Sequence, residues 1–224
     1  AILGKVIYRH REERKAKVFR YGLVNSNALF IGLPIIQSLL GDAGVLQLSM
    51  YMIFVRMFCW SYGLSLYTGV KSDWKGSFKR LLTHPCMIAA ALGVAAMVTG
   101  IRLPAFLDRT LQYVSSCLMA LSMLLIGVVL SEIKLKEVFC GDVWRFTALR
   151  LGVMPGIVFG LCKLCGVPYI VTATCTLVSG MPAASLTAVL AARYHGDSEL
   201  GALLVAVSTI LSAVTIPLWF MIFQ

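Results

Sequence analysis

The sequence predicts an all-α membrane protein, a multi-span helical bundle, and three observations lead there. Of its 224 residues 59% are hydrophobic and only 13% charged, with a mean hydropathy of +0.85, so most segments could not remain in water. Apolar runs of about 20 residues, the length of a membrane-crossing helix, recur without the period-2 alternation of a barrel strand. Two of those runs carry amides, glycine and proline in their middle: Asn25-Ser26-Asn27 with Gly32 and Pro34, and Ser179-Gly180-Met181-Pro182. Neither run can form one intact helix, and the pair predicts a site where two broken helices cross.

Taken in order, residues 1–8 read as the tail of a helix begun upstream, and the opening on Ala-Ile-Leu-Gly in place of Met predicts an N-terminally truncated chain. A basic loop is expected at 10–20. Span A covers 18–40 and ends at the turn Gly41-Asp42-Ala43-Gly44; span B covers 45–70 with Arg56 near its centre. A second basic loop occupies 71–84. Span C runs over 85–100, span D over 111–130, and a charged interfacial segment over 131–142. Span E covers 143–166, with Arg145 and Arg150 near its start and Pro155 as a kink; span F covers 169–190 and span G 200–223. Trp74, Trp144 and Trp219 fit an interfacial belt.

Orientation follows from the basic residues, which are enriched on cytoplasmic flanks. Sixteen Lys and Arg fall on one side of this span pattern, Arg145, Arg150 and Arg193 among them, against Arg102, Arg109 and Lys163 on the other. Topology therefore explains the net charge of +10, and no nucleic-acid partner is needed. The expected location is the cell membrane, as a multi-pass protein. All ten carboxylates and the histidines at 10, 84 and 195 lie in loops or at span ends, which argues against an intramembrane enzyme. A seven-helix receptor or sensor fits the span count but leaves two interrupted helices of opposite direction unexplained. Cys162 and Cys165 form a CxxC without a second pair or a nearby histidine, so no metal, cofactor or disulfide is expected.

Spans A and F run in opposite directions, and Gly41-Asp42 stand at the same offsets from Asn27 as Gly196-Asp197 from Pro182. Inverted repeats have this form. On that reading residues 1–70 end a first five-helix repeat, 71–84 are a cytoplasmic loop and 85–224 are the second repeat. About seven of about ten spans are then present. Each break exposes backbone N–H groups at the positive end of its second half-helix, which favours an anion. Pro182 suits the first position of such a half-helix, with Ser179 or Gly180 as its cap. By its position in span B, Arg56 reads as the one charge deep within a span, where it either grips a carboxylate bidentately or satisfies carbonyls freed by a break. The candidate substrate-binding residues are Asn25, Ser26, Asn27, Arg56, Ser179, Gly180, Met181 and Pro182; Gly32, Pro34 and Pro182 break the helices.

Asn27-x4-Gly32-Leu-Pro34 followed by Gly41, with Met181-Pro182-Ala-Ala, Ala191-Ala-Arg-Tyr194, Ser208-Thr209 and Pro217, resembles the auxin efflux carrier family of membrane transport proteins. The resemblance implies ten helices in two inverted repeats, broken helices at the fourth and ninth positions, and an elevator-like movement of a transport domain against a scaffold. It also implies a secondary carrier of small organic anions such as malonate-like carboxylates, and it aligns Arg56, four residues before Trp60, with a substrate-side position. Ser26 stands where the plant carriers have proline, and their long central loop is absent, which implies a bacterial-type member. Expected partners are the organic anion, the lipid bilayer and a coupling H+ or Na+, with a homodimer left open.

Overall fold

A computed structural model describes residue 4 and residues 7–68, 85–100, 103–131 and 140–223. The basic loop expected at 71–84 and most of the segment at 131–142 lie outside the described residues. About 84% of the structure is helical, and among the described residues the only extended pairing is one isolated bridge, so the all-α membrane class holds.

The first helix, α1 (Glu13–Val24), begins inside the segment expected to be a loop. Lys17 pairs with Glu13 one turn away at 3.1 Å, while Ala16, Val18 and Phe19 on the same helix are buried and Tyr8 stacks on Phe19 at 4.2 Å. Burial of that apolar face outweighs the charge density that made the segment read as a loop. After the break at Asn25 to Asn27 come a wide π-helical turn, Ala28–Gly32, and α2 (Leu33–Phe58). Gly41 interrupts α2 with φ 62° and ψ −157°, a conformation that glycine reaches without strain. There the chain folds back: Gly44 approaches Ile36 and Leu40, and further along Gly63 presses on the ring of Tyr21, so the two arms lie side by side. The expected turn at Gly41 is thus present, and the long apolar stretch Ala28–Arg56 is two helices.

A second π-turn, Cys59–Gly63, leads into the short α3 (Leu64–Thr68). Beyond it stand α4 (Pro85–Thr99) and α5 (Ala105–Ser131). Next, α6 (Gly141–Ala148), a third π-turn Leu149–Val153 and α7 (Met154–Leu164) form one span-length rod. The last three helices are α8 (Tyr169–Ser179), α9 (Leu186–Arg193) and α10 (Ser198–Met221). Two π-turns share a cause. Pro34 and Pro155 each stand second in the helix that follows, and a proline there has no N–H and crowds the carbonyl four residues back. The ladder widens to accommodate it, as when Gly32 N–H donates to Asn27 O at 3.1 Å across five residues.

Two apolar clusters lie on either side of the breaks. One gathers Val18, Phe19 and Leu23 of α1, Phe146 of α6, Leu190 of α9 and Leu204 of α10. The other joins Ala28, Ile31, Ile36 and Leu48 to Leu177 and Val178 of α8 and Ile216 of α10. Outward faces stay apolar and exposed, as at Phe54, Phe106, Leu124 and Leu164, the pattern of a lipid-facing surface. Between α9 and α10 the backbones meet at Gly201, where an added methyl would come within 2.9 Å of Ala188 Cα. Gly201→Ala should therefore cost about 1–3 kcal/mol through overpacking. Thermal unfolding in detergent checks this; an unchanged midpoint would mean that α9 can yield.

Candidate functional site

The two breaks form one site because they complete each other's hydrogen bonds. At the end of α1, Asn25 turns extended, so the N–H of Asn27 leaves its helical acceptor and donates to Pro182 O at 2.8 Å. In return Ala184 N–H donates to Asn25 O at 3.1 Å, and Ser26 and Ala183 form an antiparallel bridge. The N–H of Ala183 donates to Ser208 Oγ of α10 at 3.1 Å, and that hydroxyl donates to Leu204 O at 2.6 Å. Four helix ends meet here: the C-termini of α1 and α8, and the N-termini of the Ala28 turn and α9.

Arg150 ties the C-terminal ends together. It occupies the third π-turn, is 2% exposed, and donates from Nε to Met181 O at 3.1 Å and from Nη1 to Leu23 O at 2.5 Å. Leu23 O is the carbonyl that Asn27 N–H would bond in an unbroken helix. The remaining Arg150 Nη2 is buried with no hydrogen-bond partner among the described residues, as are Ser26 Oγ, Asn27 Nδ2 and Ser185 Oγ. Buried donors of this kind are costly unless something enters to accept from them. The crossing is therefore a buried, net positive patch with donor capacity to spare.

The structure gathers seven of the eight sequence-derived site residues at or beside this crossing. Asn25 donates from Nδ2 to Tyr21 Oη at 2.9 Å, Ser26 and Asn27 carry free polar atoms, and the carbonyls of Met181 and Pro182 are bonded as described. Ser179 and Gly180 end α8, Ser179 Oγ donating to Thr176 O at 2.8 Å. They do not cap α9, and Pro182 does not start it. Ala183, just after Pro182, is drawn into the bridge with Ser26, so α9 begins only at Leu186 after Ser185. Gly32 closes the first π-turn, and Pro34 widens the ladder without kinking α2. Arg56 lies in the last turn of α2, half-buried, within electrostatic reach of Cys59, as Arg150 is.

Arg150 is the residue that sequence reasoning misplaced. Counted among the basic flanking residues, it stands instead in the interior, so Arg56 is not the only deep charge. Without it the basic asymmetry is fifteen to three and the orientation is unchanged. Its signal was a charge nine residues after Gly141, about 14 Å along a helix, followed five residues later by Pro155. Ser208, given no site role by the sequence, caps the second break. Trp219, expected in an interfacial belt, donates from Nε1 to Leu151 O at 2.8 Å beside the third π-turn. A cavity of about 410 Å³ lies along that rod and α10 between Trp144, Leu151, Leu211 and Trp219; its lining bears no charge, and the polar crossing is the better candidate site.

Broken helices crossing in a membrane fold, with backbone and buried charge turned to a common point, define a transport protein. Residues 74–220 match the family described as Membrane transport protein, the auxin efflux carrier family, and the chain belongs to it. It is 27% identical over 229 residues to an uncharacterized transporter of Methanocaldococcus jannaschii, covering 97% of this chain and 71% of that protein. An uncharacterized transporter of Methanothermobacter thermautotrophicus is 29% identical over 194 residues, covering 86% of this chain and 63% of that protein. The chain is thus an integral membrane protein of a transporter family, which accounts for the broken helices better than a receptor or an intramembrane enzyme does.

Ser208→Ala should strand the Ala183 N–H and cost about 1–3 kcal/mol, whereas Thr209→Ala, whose hydroxyl only returns to Val205 O at 2.7 Å, should change stability by less than about 0.5 kcal/mol. Chemical or thermal unfolding of the two variants side by side measures the difference.

Proposed function

We propose that this protein is a secondary carrier of small organic anions, with the substrate carboxylate held at the crossing of the two broken helices. The observation that carries the reading is the mutual pairing of the breaks, Asn27 N–H to Pro182 O and Ala184 N–H to Asn25 O. It turns the N-termini of two half-helices toward one buried point where Ser26, Asn27 and Ser185 keep free polar atoms. Helix N-termini with spare donors favour a negative group. Arg56, half-buried in the last turn of α2, is assigned to the substrate as a second cation.

In this reading residues 1–70 and 85–224 belong to two inverted repeats, the protein crosses the cell membrane many times, and an elevator-like movement carries the crossing between the two sides. No carboxylate of the chain was found at membrane depth by sequence, so coupling to H+ or Na+ would draw on backbone carbonyls or on further helices. Malonate-like dicarboxylates and bulkier aromatic carboxylates are the substrate classes to compare.

Full-length protein in proteoliposomes should take up labelled malonate or phenylacetate saturably, and Arg56→Gln should lower that uptake about tenfold, near 1.4 kcal/mol of lost interaction. Uptake of neither anion overturns the substrate class. Uptake unchanged in a folded Arg56→Gln protein removes Arg56 from the site.

A further inference from the structure

Arg150 brings a full charge into the middle of the fold. A guanidinium stays protonated, and this one is 2% exposed. Its hydrogen-bond partners are the carbonyls of Met181 and Leu23, which are neutral dipoles. The ion pairs found among the described residues, Arg11 with Asp142 and Lys17 with Glu13, lie elsewhere. Nearby stand Tyr51 of α2 and Cys59, both uncharged as ordinarily protonated. A buried ion with neither a counter-charge nor a full set of hydrogen bonds is destabilising. Two of its donors are nonetheless used well, and because the group is planar they fix the direction of the third.

We infer that Arg150 is the resident counter-charge of the transported anion: Nε and Nη1 tie the two broken helices together, and Nη2 donates to the carboxylate that enters the crossing. The inference rests on the reading of the crossing as an anion site. One rigid group then holds Leu23 O, Met181 O and the substrate at once. An anion that neutralises Arg150 stabilises the junction itself, and a neutral isostere does not. Selection of charged over uncharged substrates follows from that difference.

The test is thermal unfolding of the full-length protein in detergent, titrated with malonate, with phenylacetate and with their neutral amides. Wild type should gain several degrees from at least one acid and nothing from its amide. Arg150→Gln should raise the half-saturating acid concentration at least 100-fold; Arg150→Lys, which keeps the charge without the planar fork, should raise it about tenfold. Tyr51→Glu, placing a carboxylate beside the guanidinium, should raise the unliganded melting temperature and abolish the response to acid, and it decides the matter if both Arg150 variants fail to fold. The assignment is overturned, with the carrier reading intact, by wild-type saturation in Arg150→Gln, or by a Tyr51→Glu protein that melts lower and still responds to acid. Equal responses of wild type to acid and amide overturn it as well. A wild type that responds to neither acid overturns both readings.

Discussion

The structure depends on one constraint: inside a bilayer every backbone N–H and C=O must find a partner within the protein. Breaking two helices violates it twice, and each break supplies what the other lacks. Asn27 N–H, released from Leu23 O, reaches Pro182 O, and Ala184 N–H reaches Asn25 O. The carbonyls of Leu23 and Met181 are taken by Arg150, and the amide of Ala183 is taken by Ser208. Neither broken helix is satisfied alone. The pairing therefore fixes the depth and the crossing of both, and the two apolar clusters on either side of it settle into place around that junction.

The wide turns make this junction reachable. Proline at 34 and at 155 forbids a regular ladder, and the resulting π-turns each offset one residue from the helical register. The first offset follows the Asn27 break directly. The offset at Leu149–Val153 includes Arg150, whose guanidinium reaches both carbonyls, and beside it Leu151 O accepts from Trp219 Nε1. π-turns recur where function needs an irregular helix, and here two of them abut one polar centre. The remaining π-turn, Cys59–Gly63, has no proline behind it; there Gly63 permits the close approach of Tyr21.

Charge is distributed along the same lines. The C-terminal ends of α1 and α8 carry partial negative charge and are met by a resident cation, while the opposing N-terminal ends keep their positive character. The two jobs of a broken-helix site, holding the breaks and meeting a ligand, converge in the proposed carrier on the Arg150 guanidinium. Of the two arginines in the interior, Arg150 is the one bonded to the broken helices, whereas Arg56 stands half-buried in the last turn of α2.

Much of this was legible in the residues. Length and hydropathy pointed to membrane-length helices, and the ends of α8 and α10 fall within a few residues of expectation or at the break itself. Asn25 to Asn27 and Gly180 to Pro182 marked the breaks because amides, glycine and proline are poor helix interiors whatever surrounds them. What the sequence could not decide was partnership. Arg150 reads like any basic residue near a helix start, because counting charge along the chain says nothing of the carbonyls 31 and 127 positions away that it bonds. Likewise Pro182 reads as a helix start until the opposing strand of residues claims its carbonyl. Local propensity is written in neighbouring residues; the satisfaction of a buried charge and of two broken backbones is a property of segments that meet only once the chain has folded.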